Sequence, residues 1–257
     1  MFPLKDNLPT QNLPVVTIVF IVLNVIAYLF LQPKTGIDFS GGSLDPEALF
    51  NYGAVPYELT HPGEQCQAIR DGAAARCAEG VGDGGIATPL TLLTSMFTHA
   101  GLLHLGGNML FLWIFGNNVE DGMGRVKFVL FYVLGGLAAT GLQVAIGPDE
   151  VVPTLGASGA VAGVLGGYIL LHPRAKVVTL VFIVFFVSII ELPAIIFLGI
   201  WFGQQALFGA LDLTNPSGGG GGVAYFAHVG GFLFGLLAIK LFARRHHDSA
   251  PPGSFAT

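Results

Sequence analysis

The feature that most constrains this chain is a succession of apolar runs, several close to the ~20 residues that a helix needs to cross a bilayer. Pro14 to Leu31 is the first, interrupted only by Thr17 and Asn24. Leu102 to Phe115 is apolar apart from His104 and Asn108. Phe128 to Ile146, the Gly-rich stretch Leu155 to Leu171, and Val223 to Phe242 follow. Only 11% of the 257 residues are charged and 53% are hydrophobic, whereas a soluble domain carries about 25% charge. That balance excludes an ordinary soluble domain and a disordered chain. The 37 glycines keep no fixed period, which excludes collagen and solenoid arrays. The net charge of −5 leaves no basic footprint for nucleic acid. The chain therefore reads as an all-α polytopic membrane protein whose first partner is the lipid bilayer.

One stretch does not divide cleanly. Val177 to Leu211 is apolar but too long for one helix and too short for two plus a turn, and Glu191 and Pro193 interrupt it. Val177 to Ser188 is expected to be interfacial or re-entrant, with a helix starting near Glu191. Six spans result, with both termini on one side. Lys5, Arg125, Lys127, Arg174, Lys176, Lys240, Arg244 and Arg245 share that side, and Lys34, Arg70 and Arg76 lie on the other. The excess of cations makes the first side cytoplasmic. Residues 1–12 are then a short cytoplasmic N-terminus, 13–245 a six-helix membrane domain with a long extracytoplasmic first loop at 34–90, and 246–257 a cytoplasmic tail. Gln32-Pro33-Lys34 follows the first span and offers no small-residue cleavage site, so that span is read as an uncleaved anchor. Cys66 and Cys77 both lie in the first loop, where an oxidising compartment would let them form a disulfide.

Polar side chains inside spans are costly and tend to be functional. They fall in three places: His99, His104 and Asn108; Ser158 in Gly156-Ala157-Ser158-Gly159; and His228 in Ala227-His228-Val229-Gly230-Gly231. His104 and Asn108 are four apart, so a helix puts them on one face. Ser158 opens one span and His228 another, at matched depth provided that a single span separates them. A serine beside a histidine is the minimum for nucleophilic catalysis, because imidazole can accept the hydroxyl proton. Gly159, Gly163 and Gly167 on one helix and Gly231 and Gly235 on the other form small-residue faces that permit close helix approach.

The three motifs together, G-A-S-G at 156–159, H-x4-H-x3-N at 99–108 and A-H-x-x-G at 227–231, closely resemble those of the rhomboid family of intramembrane serine proteases. The resemblance covers residues 90 to 240 and the first span. It implies a six-helix bundle in which Ser158 is the nucleophile and His228 the general base. It also implies an oxyanion site made by His104, Asn108 and the Ser158 backbone N–H, with His99 and Gly156 in support. The implied substrates are transmembrane proteins cut in or near their spans, and no cofactor is implied. A catalytically inactive relative that binds membrane proteins is the alternative. A compact core without an evident transit peptide suggests a bacterial plasma membrane, with the active site opening toward the extracytoplasmic side.

The residues also bear on rival readings. His99, His104 and His228 would suffice for zinc by number, but no H-E-x-x-H motif is present and Ser158 would be unexplained, so no metal is expected. A transporter would spread its polar residues across the bilayer rather than cluster them at one depth. Asp149, Glu150 and Glu191 are the acids near the spans, and none is placed against His228, so a dyad is expected. Where the family commonly has an aromatic residue that stacks on the catalytic histidine, this chain has Ala162, and another group must orient His228. Trp201 and Phe202 are candidates for a lateral substrate gate, and the glycines 218–222 for a movable cap.

Overall fold

The computed structural model describes residues 1–32, 44–69, 74–80, 85–183, 186–214 and 223–243. The expected cap at 218–222, the cations Lys34, Arg70, Arg244 and Arg245, and the tail at 246–257 lie outside these residues.

The chain starts with a strand, β1 (Phe2–Asp6), and then enters α1 (Val15–Ile26), which continues as wider π-helical turns through Leu31. The first loop contains α2 (Pro46–Tyr52), α3 (Pro56–Thr60) and an antiparallel hairpin, β2 (Glu64–Ile69) with β3 (Ala74–Glu79). Cys66 and Cys77 face each other across the hairpin and are joined by a disulfide. Each of the two short helices starts with proline at its first position, where a missing N–H costs nothing. Asp45 caps α2 by accepting from the Glu47 N–H at 2.8 Å. The loop is tied to the segment that precedes the serine. Ala54 and Thr154 pair as an isolated β-bridge, and the Tyr57 N–H donates to Glu150 O.

After α4 (Thr88–Thr94), a continuous helical rod begins with α5 (Leu102–Phe111), passes through π-helical turns at Leu112–Gly116 and ends in α6 (Asn117–Met123). Gly124, at φ +87°, turns the chain into α7 (Arg125–Ile146). Next come α8 (Ser158–Leu171), two strands, α9 (Ala194–Thr214) and α10 (Tyr225–Phe242). Helices α7, α9 and α10 are long and apolar enough to cross a membrane. α1 with its extension and α8 are apolar but shorter.

Helix α8 is the centre of the fold. Gly159 to Ile169 is buried without a break, the mark of a helix surrounded on all sides. Its small residues make this possible. A Cβ on Gly163 would lie 3.4 Å from both Gly135 Cα on α7 and Gly231 O on α10. The outer surface of the bundle is as apolar as its interior: Phe30, Val126, Leu237 and Leu241 are each at least 76% exposed. Such a surface is stable against lipid but not against water.

The structure corrects the all-α expectation. Val177 to Ser188, expected as an interfacial or re-entrant segment of a helical protein, falls within two β-strands. β4 (Lys176–Ile183) and β5 (Phe186–Pro193) form an antiparallel hairpin, and β1 adds to β4 to complete a three-stranded sheet in the order β1-β4-β5. Phe2 pairs with Leu180 and Asp6 with Val177. The two strands are dominated by Val, Ile, Leu and Phe, and the β-branched and aromatic types among them fit a pleated surface better than a helix. Pro193 lacks the N–H needed to go on pairing, and α9 begins at the next residue. Glu191 pairs with Lys176 at 2.9 Å. The N-terminal segment is thus a sheet strand rather than a loose tail. Asp6 continues the anchoring by accepting from Tyr168 Oη at 2.6 Å and Asn118 Nδ2 at 2.7 Å.

Candidate active site

The site forms where the N-terminal ends of α8 and α10 meet α5. Ser158 is the first residue of α8 and His228 lies in the first turn of α10. Ser158 Oγ is 2.8 Å from His228 Nε2. Glycines allow this approach. A Cβ on Gly231 or Gly235 would fall against the backbone carbonyls of Gly159 and Gly163 on α8. The two backbones are therefore nearly in contact, and a side chain as short as serine reaches the imidazole.

The first turn of α8 has a second consequence. The leading N–H groups of a helix have no intrahelical acceptor, and they carry the positive end of its dipole. Gly156, at φ +112°, bends the chain into this turn, a conformation that favours glycine. A methyl group there would also lie 2.6 Å from His104 Nε2 and 3.7 Å from Asn108 Nδ2. Gly156 is thus the floor beneath both side chains, which project from α5 toward the start of α8. Its own N–H donates to Ser95 O at 2.8 Å.

His104 and Asn108 are one helical turn apart, and Asn108 Nδ2 donates to His104 O at 3.0 Å. An amide nitrogen has two hydrogens, so one stays available. The Ala100 N–H approaches His104 Nδ1 at 3.5 Å, a long contact that is compatible with a neutral ring protonated on Nε2. His99 is fully buried, with its ring edge-on to His104 at 5.1 Å between centroids. Its backbone is clamped on both sides by Gln32, whose Nε2 donates to His99 O at 2.6 Å and whose Oε1 accepts from the His99 N–H at 2.9 Å. The Ala157 N–H points to His99 Nε2 at 3.5 Å. His99 therefore props the turn that carries Ser158 and is not next to His228. Ser158, His228, His104 and Gly156 share the wall of one cavity of about 420 Å³ that also reaches Thr154 and Val223.

α9 contributes more than the two aromatic residues singled out from the sequence. The Trp201 ring lies 5.9 Å from that of His228, tilted by 38°, and 6.1 Å from Phe232. Phe202 stacks on Phe232 at 4.6 Å. Both therefore pack toward α10 rather than serving only as a lipid-facing belt. One turn after Trp201, Gln205 Oε1 is 2.8 Å from His228 Nδ1. Gln205 lies outside the three polar motifs of the sequence. A polar residue in the apolar run of α9 was the available signal.

The acids also find their places. Glu150 Oε2 accepts from Gln143 Nε2 at 2.9 Å, and Gln143 Oε1 accepts from the Ala227 N–H at 3.2 Å. Glu150 thus bears on the residue before His228 and not on its ring. Asp149 is exposed and lies 3.9 Å from His61. Glu191 is engaged with Lys176 in the hairpin. Among the described residues, no group of three or more His, Cys, Asp or Glu side chains is arranged to hold a metal ion.

Residues 87–245 match the family model of the Rhomboid domain. The chain is 32% identical over 159 residues to Rhomboid protein 1, mitochondrial, of Saccharomyces cerevisiae, a match covering 59% of this chain and 41% of that protein. It is 31% identical over 152 residues to Presenilin-associated rhomboid-like protein A, mitochondrial, of Danio rerio, covering 58% and 37%. It is 30% identical over 164 residues to RHOMBOID-like protein 12, mitochondrial, of Arabidopsis thaliana, covering 58% and 45%. The matches thus span less than half the length of these relatives. All three are named as mitochondrial proteins, which overturns the expected bacterial plasma membrane.

Proposed function

Because this chain belongs to the rhomboid family, we propose that it is an intramembrane serine endopeptidase that cleaves transmembrane protein substrates in or near their spans. The observation that carries this reading is the 2.8 Å contact between Ser158 Oγ and His228 Nε2, beside the leading N–H groups of α8. We further propose six membrane crossings: α1 with its extension, the rod from α5 to α6, α7, α8, α9 and α10.

In this reading the Ser158 hydroxyl gives its proton to His228 Nε2 as Oγ attacks the scissile carbonyl carbon. The carbonyl oxygen becomes an oxyanion. The second Asn108 Nδ2 hydrogen, His104 Nε2–H and the Ser158 N–H face the region where that charge develops. Each such donor is typically worth about 10²–10³ in rate. His228 then passes the proton to the departing amine nitrogen, the C–N bond breaks, and an acyl-serine remains. Water, deprotonated by the same Nε2, attacks the ester carbonyl and frees Ser158.

The length of α8 explains how water reaches the site. Its 14 residues span about 21 Å at 1.5 Å each, less than the ~30 Å hydrocarbon core. In this reading the recessed end of α8 is the one that opens the cavity. Irregular backbone is tolerated at that depth only where it is buried in protein or lines a wet cavity, which fits Val151 to Ala157. The first loop, tied by Ala54–Thr154 and Tyr57–Glu150, packs against this descending segment.

The test uses the full chain in detergent, a fluorophosphonate probe and a single-span test substrate, with Ser158→Ala and His228→Ala alongside. Labelling and cleavage by the parent, both lost in the two variants, is the expected result. A folded parent that neither labels nor cleaves would favour an inactive membrane-protein-binding relative. Cleavage that survives Ser158→Ala and stops with a chelator would replace the serine mechanism.

A further inference from the structure

We propose that Gln205 is the third member of the site, a positioning residue whose carbonyl oxygen fixes the tautomer and orientation of His228. The inference rests on the proposed Ser158–His228 chemistry and adds to it a residue on a different helix.

A histidine that accepts a proton at Nε2 must hold its own proton at Nδ1, because a neutral imidazole carries only one. Without a partner at Nδ1 the ring is free to rotate and to protonate the wrong nitrogen, which leaves Nε2–H pointing at the serine. In His228, Nδ1 meets Gln205 Oε1 at 2.8 Å and Nε2 meets Ser158 Oγ at 2.8 Å. Gln205 is only 8% exposed, so water does not readily replace it. The ring is thus fixed at both ends by partners on two different helices, α9 and α8.

The amide has two faces, and chemistry selects the oxygen. When His228 becomes imidazolium, both ring nitrogens donate. An NH2 group at Nδ1 would then oppose a second donor, whereas a carbonyl accepts in both protonation states. A neutral acceptor also avoids an additional buried charge, which is expensive within a membrane. The neighbouring aromatic ring cannot do the same work, because Trp201 is tilted by 38° at 5.9 Å from His228 and is not stacked face to face. Ala162, fully buried on α8, offers only a methyl group. The hydrogen bond to Gln205 is therefore the directional restraint that remains.

Three variants of the full chain test this, in parallel with Ser158→Ala. Gln205→Leu removes the acceptor at nearly constant volume and is expected to lower kcat by about 10²-fold, the low end for impaired general-base catalysis. KM should stay within about twofold, because no substrate contact is removed. Gln205→Asn keeps the amide but is one methylene too short, and should resemble Gln205→Leu. Gln205→Glu offers an oxygen acceptor whether or not it is protonated, and should stay within about tenfold of the parent. The second readout is the ring ¹⁵N spectrum of His228 in the resting protein. It should show the Nδ1–H tautomer in the parent and a loss of that preference in Gln205→Leu. This signal does not depend on turnover, so it separates failure of the Gln205 assignment from failure of the protease reading. A parent-like kcat in Gln205→Leu would overturn the proposal. So would equal loss in Gln205→Leu and Gln205→Glu, or an unchanged tautomer in Gln205→Leu.

Discussion

Gly235→Ala tests the claim that close helix approach makes the proposed Ser158–His228 dyad. Gly235 lies on α10 two turns beyond His228 and touches neither Ser158 nor the cavity wall. An added Cβ would sit 2.8 Å from Gly167 N and 2.9 Å from Gly163 C, with Gly163 O closer still. These neighbours are backbone atoms of a helix buried on all sides, so none can rotate away. Ordinary contact needs about 3.5 Å or more, so α8 and α10 must part by something on the order of 1 Å. Overpacking of this kind costs about 1–3 kcal/mol. A misplacement of about 1 Å at the reacting atoms costs about 10²-fold in rate, and a 2.8 Å contact between Ser158 and His228 has little slack. The assay is substrate cleavage together with thermal unfolding in detergent. Gly199→Ala serves as the control, because no atom lies within 4 Å of a Cβ at that position on α9. The expected result is a large loss of kcat and a lower Tm for Gly235→Ala, with Gly199→Ala unharmed. Parent-like cleavage by Gly235→Ala, or equal damage in both variants, would refute the reasoning.

Two further predictions concern carboxylates outside the site. Glu120 is 3% exposed and accepts from the Val16 N–H, the Thr17 N–H and Thr17 Oγ1 at 3.0, 2.8 and 2.8 Å, so it caps the start of α1 from α6. Glu120→Ala should cost about 3 kcal/mol or more, since two buried donors and a part-buried one lose their acceptor together; an unchanged unfolding midpoint would count against the cap. Burial raises the Glu58 carboxyl above its usual range, partly offset by the hydrogen bond from the Cys66 N–H. The folded loop therefore binds this proton more tightly than the unfolded chain does, and its stability should fall as pH rises through the folded pKa. Limited proteolysis of the first loop between about pH 4 and pH 8 should show that fall in the parent and a flatter profile in Glu58→Gln. Identical profiles would dismiss the idea.

The contrast between what could and could not be read in advance has physical causes. Ser158, His228, His104 and Asn108 were legible because each is a polar residue in an apolar run within a short, specific motif. The helices α7 and α10 were legible from apolar length alone. The hairpin at 176–193 was not. Its strands are apolar on both faces, so the alternation that betrays a half-buried strand is missing, and its partner β1 lies at the far end of the sequence. Gln205 was overlooked for a different reason. The rule that polar groups in spans are functional applies to it as fully as to His228, but the adjacent Gln204 is exposed, and the sequence does not say which of the pair turns inward. The Gln143–Glu150 link to the Ala227 N–H was likewise hidden, because it depends on how α7 and α10 are rotated.

The three-stranded sheet also joins distant parts of the chain. β1 precedes α1 in the chain, yet its partner β4 follows α8. Pairing the first strand therefore requires the chain from α1 through α8 to return to its starting point. Contacts so distant in sequence close slowly, because the intervening chain must already be arranged before they form. At the end of β1, Asp6 accepts hydrogen bonds from both Tyr168 on α8 and Asn118 on α6. The sheet thus works as a latch that holds the start of the chain against the helix that carries the serine.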